Sequence, residues 1–326
     1  MQNFADRLAD AIRRKGTAAV VGIDPRTDML PSSTKERYGL GLWTSRSVWA
    51  AAVEEFCSRV LDIAAPLVPA VKFQSAFFEQ LGAPGVASLE VLMRRARRAN
   101  LLVILDAKRG DIGSTSEAYA ASAFGNSFDK GRARDQSDSA PDALTVAPYL
   151  GKDSLEPFLR FAYEAGRGLF VLVRTSNPGS RDLQQLSSGA ASQPIYRHVA
   201  EWVRAWSDST RGSCGFGSVG AVVGGTAAEQ IAELRSVMPG CWFLVPGYGA
   251  QGASASDIAA AFDERGLGAI VNNSRGILFP KIDGDPDAPG VWEKAVEGAV
   301  RTMIADLARN TPALLANGDR EATGDR

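Results

Sequence analysis

Eight short apolar runs punctuate this chain, and they leave it few folds. Ala18 to Ile23, Val68 to Phe73, Leu101 to Leu105, Ala143 to Val146, Leu169 to Val173, Val219 to Val223, Cys241 to Val245 and Gly268 to Val271 are continuous rather than alternating, as expected of parallel strands covered on both faces. Helical patterns separate them: Val48 to Ala64, Val86 to Ala99, Ser116 to Phe124, Ser154 to Ala165, Ile195 to Ser207, Ala227 to Val237, Ala255 to Arg265 and Val291 to Leu307. Parallel strands need crossover helices, and after eight such units the last strand can close onto the first. The pattern predicts an α/β fold, a (β/α)8 TIM barrel forming one domain over residues 1–310, with a doubly wound open sheet as the alternative. Phe4, Leu8 and Ile12 place an amphipathic helix before the first strand, and the tail 311–326 is expected to be disordered. Three connections, 25–46, 125–142 and 175–193, exceed what an ideal barrel needs, and loops of that length are usually functional or loosely ordered.

Composition narrows the chemistry. With 36 Lys and Arg against 37 Asp and Glu, the formal charge of −1 provides no basic face for a nucleic acid polymer or an anionic membrane. Small molecules become the default partners. No run of about 18 apolar residues could span a bilayer, and the N-terminus lacks a signal peptide's apolar core, so a cytoplasmic location is expected. Cys57, Cys214 and Cys241 are too widely spaced for a metal or redox motif. His198 is the single histidine, which removes His-based zinc sites and the Ser-His-Asp triad. It lies in a helical segment and is read as structural. Catalysis must therefore use carboxylates, lysines, hydroxyls and amides.

A barrel enzyme keeps its site where strands finish, and these strands finish in charge. The first ends in Asp24 and the second carries Lys72. The third runs into Asp106-Ala-Lys108-Arg-Gly110-Asp111-Ile112-Gly113-Ser-Thr115. Asp106 and Lys108 are two apart and share a strand face, Gly110 permits a sharp turn, and Asp111 can be aimed back over the opening or across a subunit boundary. A solvated salt-bridge cluster is the bland alternative, since exposed pairs contribute only about 0–1 kcal/mol. Charges that abut apolar strand ends beside tight turns favour a site.

This third-strand segment resembles the D-x-K-x-x-D-I-x-x-T signature of the orotidine 5′-phosphate decarboxylase family. The likeness continues in order through Gly22-Ile-Asp24, Val71-Lys72-Phe-Gln74, Thr175-Ser176-Asn-Pro178-Gly179, Pro246-Gly-Tyr-Gly249-Ala-Gln251-Gly252 and Asn273-Ser274-Arg275-Gly276. It spans nearly all eight strands, and the longer loops resemble the larger bacterial branch. The resemblance implies cofactor-independent, metal-free conversion of orotidine 5′-monophosphate to uridine 5′-monophosphate (UMP), the last step of de novo pyrimidine synthesis, by a homodimer. It assigns Lys108 to stabilising and protonating the carbanion at C6, Asp106 to holding Lys108 near the substrate carboxylate, and Lys72 and Asp24 to the ribose. Asp111, Ile112 and Thr115 would reach the neighbouring subunit's site. Ser176 would read the pyrimidine, while Pro246, Gln251, Ser274 and Arg275 would form the phosphate end; many members have glycine where this chain has Ser274.

Other segments carry less. Gly224-Gly225-Thr226 reads as a helix cap, with phosphate binding as the lesser alternative, and Trp202 and Trp206, four apart, as packing. Two rivals remain: a magnesium-dependent ketose-phosphate decarboxylase or synthase sharing D-x-K-x-x-D, and a noncatalytic nucleotide-binding protein.

Overall fold

The computed structural model describes residues 2–125, 139–189, 192–226, 228–249, 252–282, 285, 288–312 and 314. Eight strands form a closed, wholly parallel barrel: β1 (Ala19–Ile23), β2 (Ala70–Gln74), β3 (Leu102–Arg109), β4 (Ala143–Val146), β5 (Gly168–Arg174), β6 (Gly217–Val223), β7 (Cys241–Val245) and β8 (Ala269–Asn273). Closure pairs Ala19 of β1 with Val271 of β8. Near-complete burial of these strands accounts for their continuous apolar sequences.

The core has two compartments. Outward-facing strand residues such as Val71, Val103 and Val171 pack against the surrounding helices, while Val20, Ile104, Phe170 and Trp242 fill the barrel interior. The helix Phe4–Lys15 supplies Phe4, Leu8 and Ile12 to that interior cluster, and Phe4 meets Phe170 edge-on at 5.9 Å. Its apolar stripe thus plugs the barrel. Asn3 caps its start by accepting from the Asp6 N–H, and Gly16 ends it with a left-handed φ of 66°.

Helices Arg46–Ala64, Ala83–Arg98, Gly113–Phe124, Glu156–Glu164, Ile195–Ser209 and Ala228–Val237 follow β1 to β6, and Val291–Asn310 completes the ring after β8. The helix expected from Ser154 opens instead as a 3-10 turn, Asp153–Leu155, and becomes α-helical only at Glu156 beside Pro157, whose missing N–H suits a first turn. The helix expected over Ala255–Arg265 does not form; that stretch holds only the 3-10 turn Ala259–Ala261. Local polar groups take its backbone. Asp257 accepts from the Ser254 N–H and hydroxyl, Asp263 accepts from the N–H groups of Arg265 and Leu267, and Arg235 donates to the Ala261 carbonyl.

Of the long connections, 25–46 contains the short helix Ser32–Arg37, and 175–193 contains a 3-10 turn, Pro178–Asp182, and a ribbon pairing Ser187–Ser188 with Gln193–Pro194. Most of 125–142, and the tail beyond Thr311 apart from Pro312 and Leu314, lie outside the described residues. His198 sits on its helix with Nε2 3.4 Å from the Ser188 carbonyl, and Trp202 and Trp206 pack against one another with centroids 6.4 Å apart. No described helix is long and apolar enough to cross a membrane.

Candidate active site

The C-terminal ends of the strands surround a cavity of about 640 Å³. Asp24, Lys72, Asp106, Lys108, Ser176, Pro246, Ser274 and Arg275 all line it, so residues far apart in the chain meet in one place. Asp111, Ile112 and Thr115 are not part of this lining. Ile112 is 58% exposed, and Asp111 accepts from the Ile112 N–H at 2.8 Å. Gln251 lies outside the described residues.

At the centre, Asp106 is surrounded by donors. Its Oδ2 accepts from Lys72 Nζ at 2.7 Å and Gln74 Nε2 at 3.1 Å; its Oδ1 accepts from Lys108 Nζ at 2.6 Å and Thr145 Oγ1 at 2.9 Å. Lys72 Nζ also lies 3.9 Å from Asp24 Oδ1, completing an Asp-Lys-Asp-Lys sequence of charges. Burial alone would push the Asp106 carboxyl up, but the Lys72 and Lys108 ammoniums and their hydrogen bonds hold it well below the usual carboxylate range. Burial likewise opposes the charge on Lys72, yet the neighbouring Asp106 and Asp24 raise it above the ordinary lysine value. The Lys72 side chain is 4% exposed and that of Lys108 45%, so Lys72 is locked in the wall while Lys108 keeps an open face to the cavity.

The local fold of β3 explains how Lys108 gets there. Gly110, expected to supply the turn, has no left-handed φ; that conformation falls on Lys108 itself, at 47°. A lysine in this region is strained, and the β3–β4 register is irregular at the same point. Gly110 instead allows close packing: a Cβ there would stand 3.0 Å from the Ala147 carbonyl oxygen.

Two other strand ends shape the cavity by close approach. At Gly22 a Cβ would lie 1.9 Å from Ser274 Oγ, so only glycine lets β1 meet the turn that carries Arg275. Gly224, read as part of a cap, lies against Ser176, where a Cβ would come within 2.8 Å of the Ser176 N. The loop bearing Ser176 is held from behind: Arg174 donates to the Thr175 carbonyl at 2.7 Å, and Gln184 accepts from the Thr175 N–H at 2.9 Å.

Sequence reasoning missed Thr145 and Asn272 and did not place Gln74 in the site. Thr145 did leave a signal, being the polar member of the four-residue strand Ala-Leu-Thr-Val. Asn272 donates to Ser274 Oγ at 3.3 Å, a contact that spacing does not reveal.

A closed parallel β/α barrel with a buried carboxylate between two ammoniums at its C-terminal mouth has the build of a barrel enzyme, with charge set in place where such enzymes keep their sites. Comparison with known proteins makes the assignment specific. Residues 19–283 match the model of the orotidine 5′-phosphate decarboxylase / HUMPS family, and the chain belongs to that family. An orotidine 5′-phosphate decarboxylase of Rhodopirellula baltica is 47% identical over 313 residues, covering 94% of this chain and 99% of the relative. One from Petrotoga mobilis is 36% identical over 273 residues, 84% of this chain and 87% of its own. Among solved structures, the orotidine monophosphate decarboxylase of Leishmania donovani superposes with a TM-score of 0.70 at 32% identity, over 94% of this chain and 98% of its own.

Proposed function

We propose that this chain decarboxylates orotidine 5′-monophosphate to UMP and carbon dioxide, with Lys108 stabilising and then protonating C6. Loss of carbon dioxide leaves an electron pair in the plane of the pyrimidine, where the π system cannot take it up. Preorganised charge is the remaining means of lowering the barrier. Lys108 is the group for this: an ammonium held by Asp106 yet open to the cavity, able to face developing negative charge and to give up a proton, as arginine could not readily do. At an effective dielectric near 20, unit charges about 4 Å apart interact by about 4 kcal/mol, roughly a thousandfold in rate. Lys108 therefore supplies one share of the effect, and the rest of the cavity must supply more.

Asp106 positions Lys108 and sets negative charge beside the substrate carboxylate. Asp24 and Lys72 take the ribose hydroxyls, Ser176 reads the pyrimidine, and Arg275, with Ser274, Pro246 and Gln251, receives the phosphate. Phosphate binding can then hold the loops over the site and exclude water. The same reading makes the enzyme a homodimer in which Asp111, Ile112 and Thr115 reach the partner's site. Ile112, Tyr119, Tyr149 and Leu150 support it, being apolar side chains exposed near the β3 and β4 exits. It also places the enzyme in the cytoplasm, in keeping with three buried free thiols.

The observation that carries the reading is the arrangement around Asp106. With two donors on each oxygen, this carboxylate has its acceptor sites taken by side chains of the chain, which favours ammonium chemistry over a shared magnesium ion. The test is ultraviolet spectroscopy of orotidine 5′-monophosphate with the purified protein, with and without a chelator. Full turnover in both is expected. No turnover would overturn the substrate, and loss with the chelator would favour the metal-dependent relatives.

A further inference from the structure

Resting on the decarboxylase reading, we propose that Thr145 is a positioning residue, whose hydroxyl ties the backbone of Lys108 to the carboxylate that holds its side chain.

The two strands do not match in length at this point. Leu105 pairs with Leu144 and Arg109 with Val146, so Asp106, Ala107 and Lys108 stand opposite a single residue, Thr145. A parallel ladder cannot satisfy three residues with one, and Lys108 enters the left-handed region with φ 47°. The Thr145 side chain provides the missing link. The Lys108 N–H donates to Thr145 Oγ1 at 2.9 Å, and Thr145 Oγ1 donates to Asp106 Oδ1 at 2.9 Å. Lys108 Nζ meets the same Oδ1 at 2.6 Å, closing a ring through the backbone and side chain of one lysine.

The direction of each bond is fixed by chemistry. An N–H can only donate and an ionised carboxylate can only accept, so the hydroxyl must receive from Lys108 and give its proton to Asp106. Thr145 is 1% exposed, so bulk water cannot readily take over either bond. Valine has nearly the same shape but neither donor nor acceptor. It would strand the Lys108 N–H, relax the left-handed turn and let the ammonium drift from its place.

The experiment compares the parent, Thr145→Val and Thr145→Ser for kcat, KM, melting temperature and affinity for UMP. A hydrogen bond to a charged group predicts that Thr145→Val loses about tenfold to a hundredfold in kcat. UMP affinity should stay close to the parent's, and Thr145→Ser should restore kcat because it keeps the hydroxyl. Should the valine variant fail to fold, Thr145→Cys, with a weak donor of similar size, is expected to show the same selective loss of kcat. A folded valine or cysteine variant with parental kcat overturns the proposal. So does one in which kcat, UMP affinity and melting temperature fall together, since that marks general structural damage. A parent without turnover sinks the decarboxylase reading, and this proposal with it; an active parent with an unaffected variant sinks this proposal alone.

Discussion

In the proposed mechanism Lys108 faces the reacting carbon and Asp106 holds it, and their environments differ in a way that separates their predicted phenotypes. Lys108 is half-exposed and strained, so Lys108→Ala should remove turnover while leaving the fold and UMP binding in place; undiminished turnover would refute its role. Asp106 is buried between two ammoniums, so its removal should damage both rate and stability. The pH dependence follows from the directions of the shifts. Because the folded state depresses the Asp106 pKa, its contribution to stability is present above the unfolded carboxylate value of about 4 and is lost only as pH falls through the lower folded value. The Lys72 pKa is raised, so its contribution is full below about 10.4 and is lost as pH climbs through the higher folded value. The stability difference between the parent and Asp106→Asn, measured by urea unfolding, should therefore be flat from about pH 5 to 9. A slope near neutrality would show that another group controls the network.

Elements were legible where burial is simple. Strands covered on both faces have continuous apolar sequences, which is why β4 and β7 begin and end where the pattern predicts. The segment 255–265 failed for a physical reason: its apolar spacing suits a helix, but side chains of Ser254, Asp257 and Asp263 compete for the backbone, and Arg235 reaches in from another element. Arg235 also donates to the carbonyls of Met238, Cys241 and Gly268, so it joins three segments. Arg235→Met should lower stability by about 2–4 kcal/mol through stranded carbonyls, seen as a lower urea midpoint with unchanged KM. The β1–β8 junction gives a complementary case. Gly22→Ala forces apart the approach to Ser274, and should weaken phosphorylated ligands more than unphosphorylated ones in calorimetric titration. Equal losses for both would mean that the junction does not support the phosphate end.

For the assembled protein, the proposed dimer ties activity to association. Ile112→Asp places a charge on an exposed apolar position beside Asp111, and should yield monomers in sedimentation with turnover falling in step. An active monomer would place the whole site within one chain. The barrel itself and the charged strand ends could be read from the residues, because burial on two faces and its interruption by charge are local properties that spacing records. Asp24, Lys72, Asp106 and Lys108 were likewise legible as charges that end strands, whereas Arg275 was named by family resemblance and Asp111, expected over the opening, lies outside the cavity lining. Folding in three dimensions added what depends on elements remote in the chain: the left-handed turn at Lys108, the hydroxyl of Thr145 that spans it, and the glycine contacts of β1 with β8. Each arises from how two strands fit side by side, and neither strand's own sequence encodes the mismatch between them.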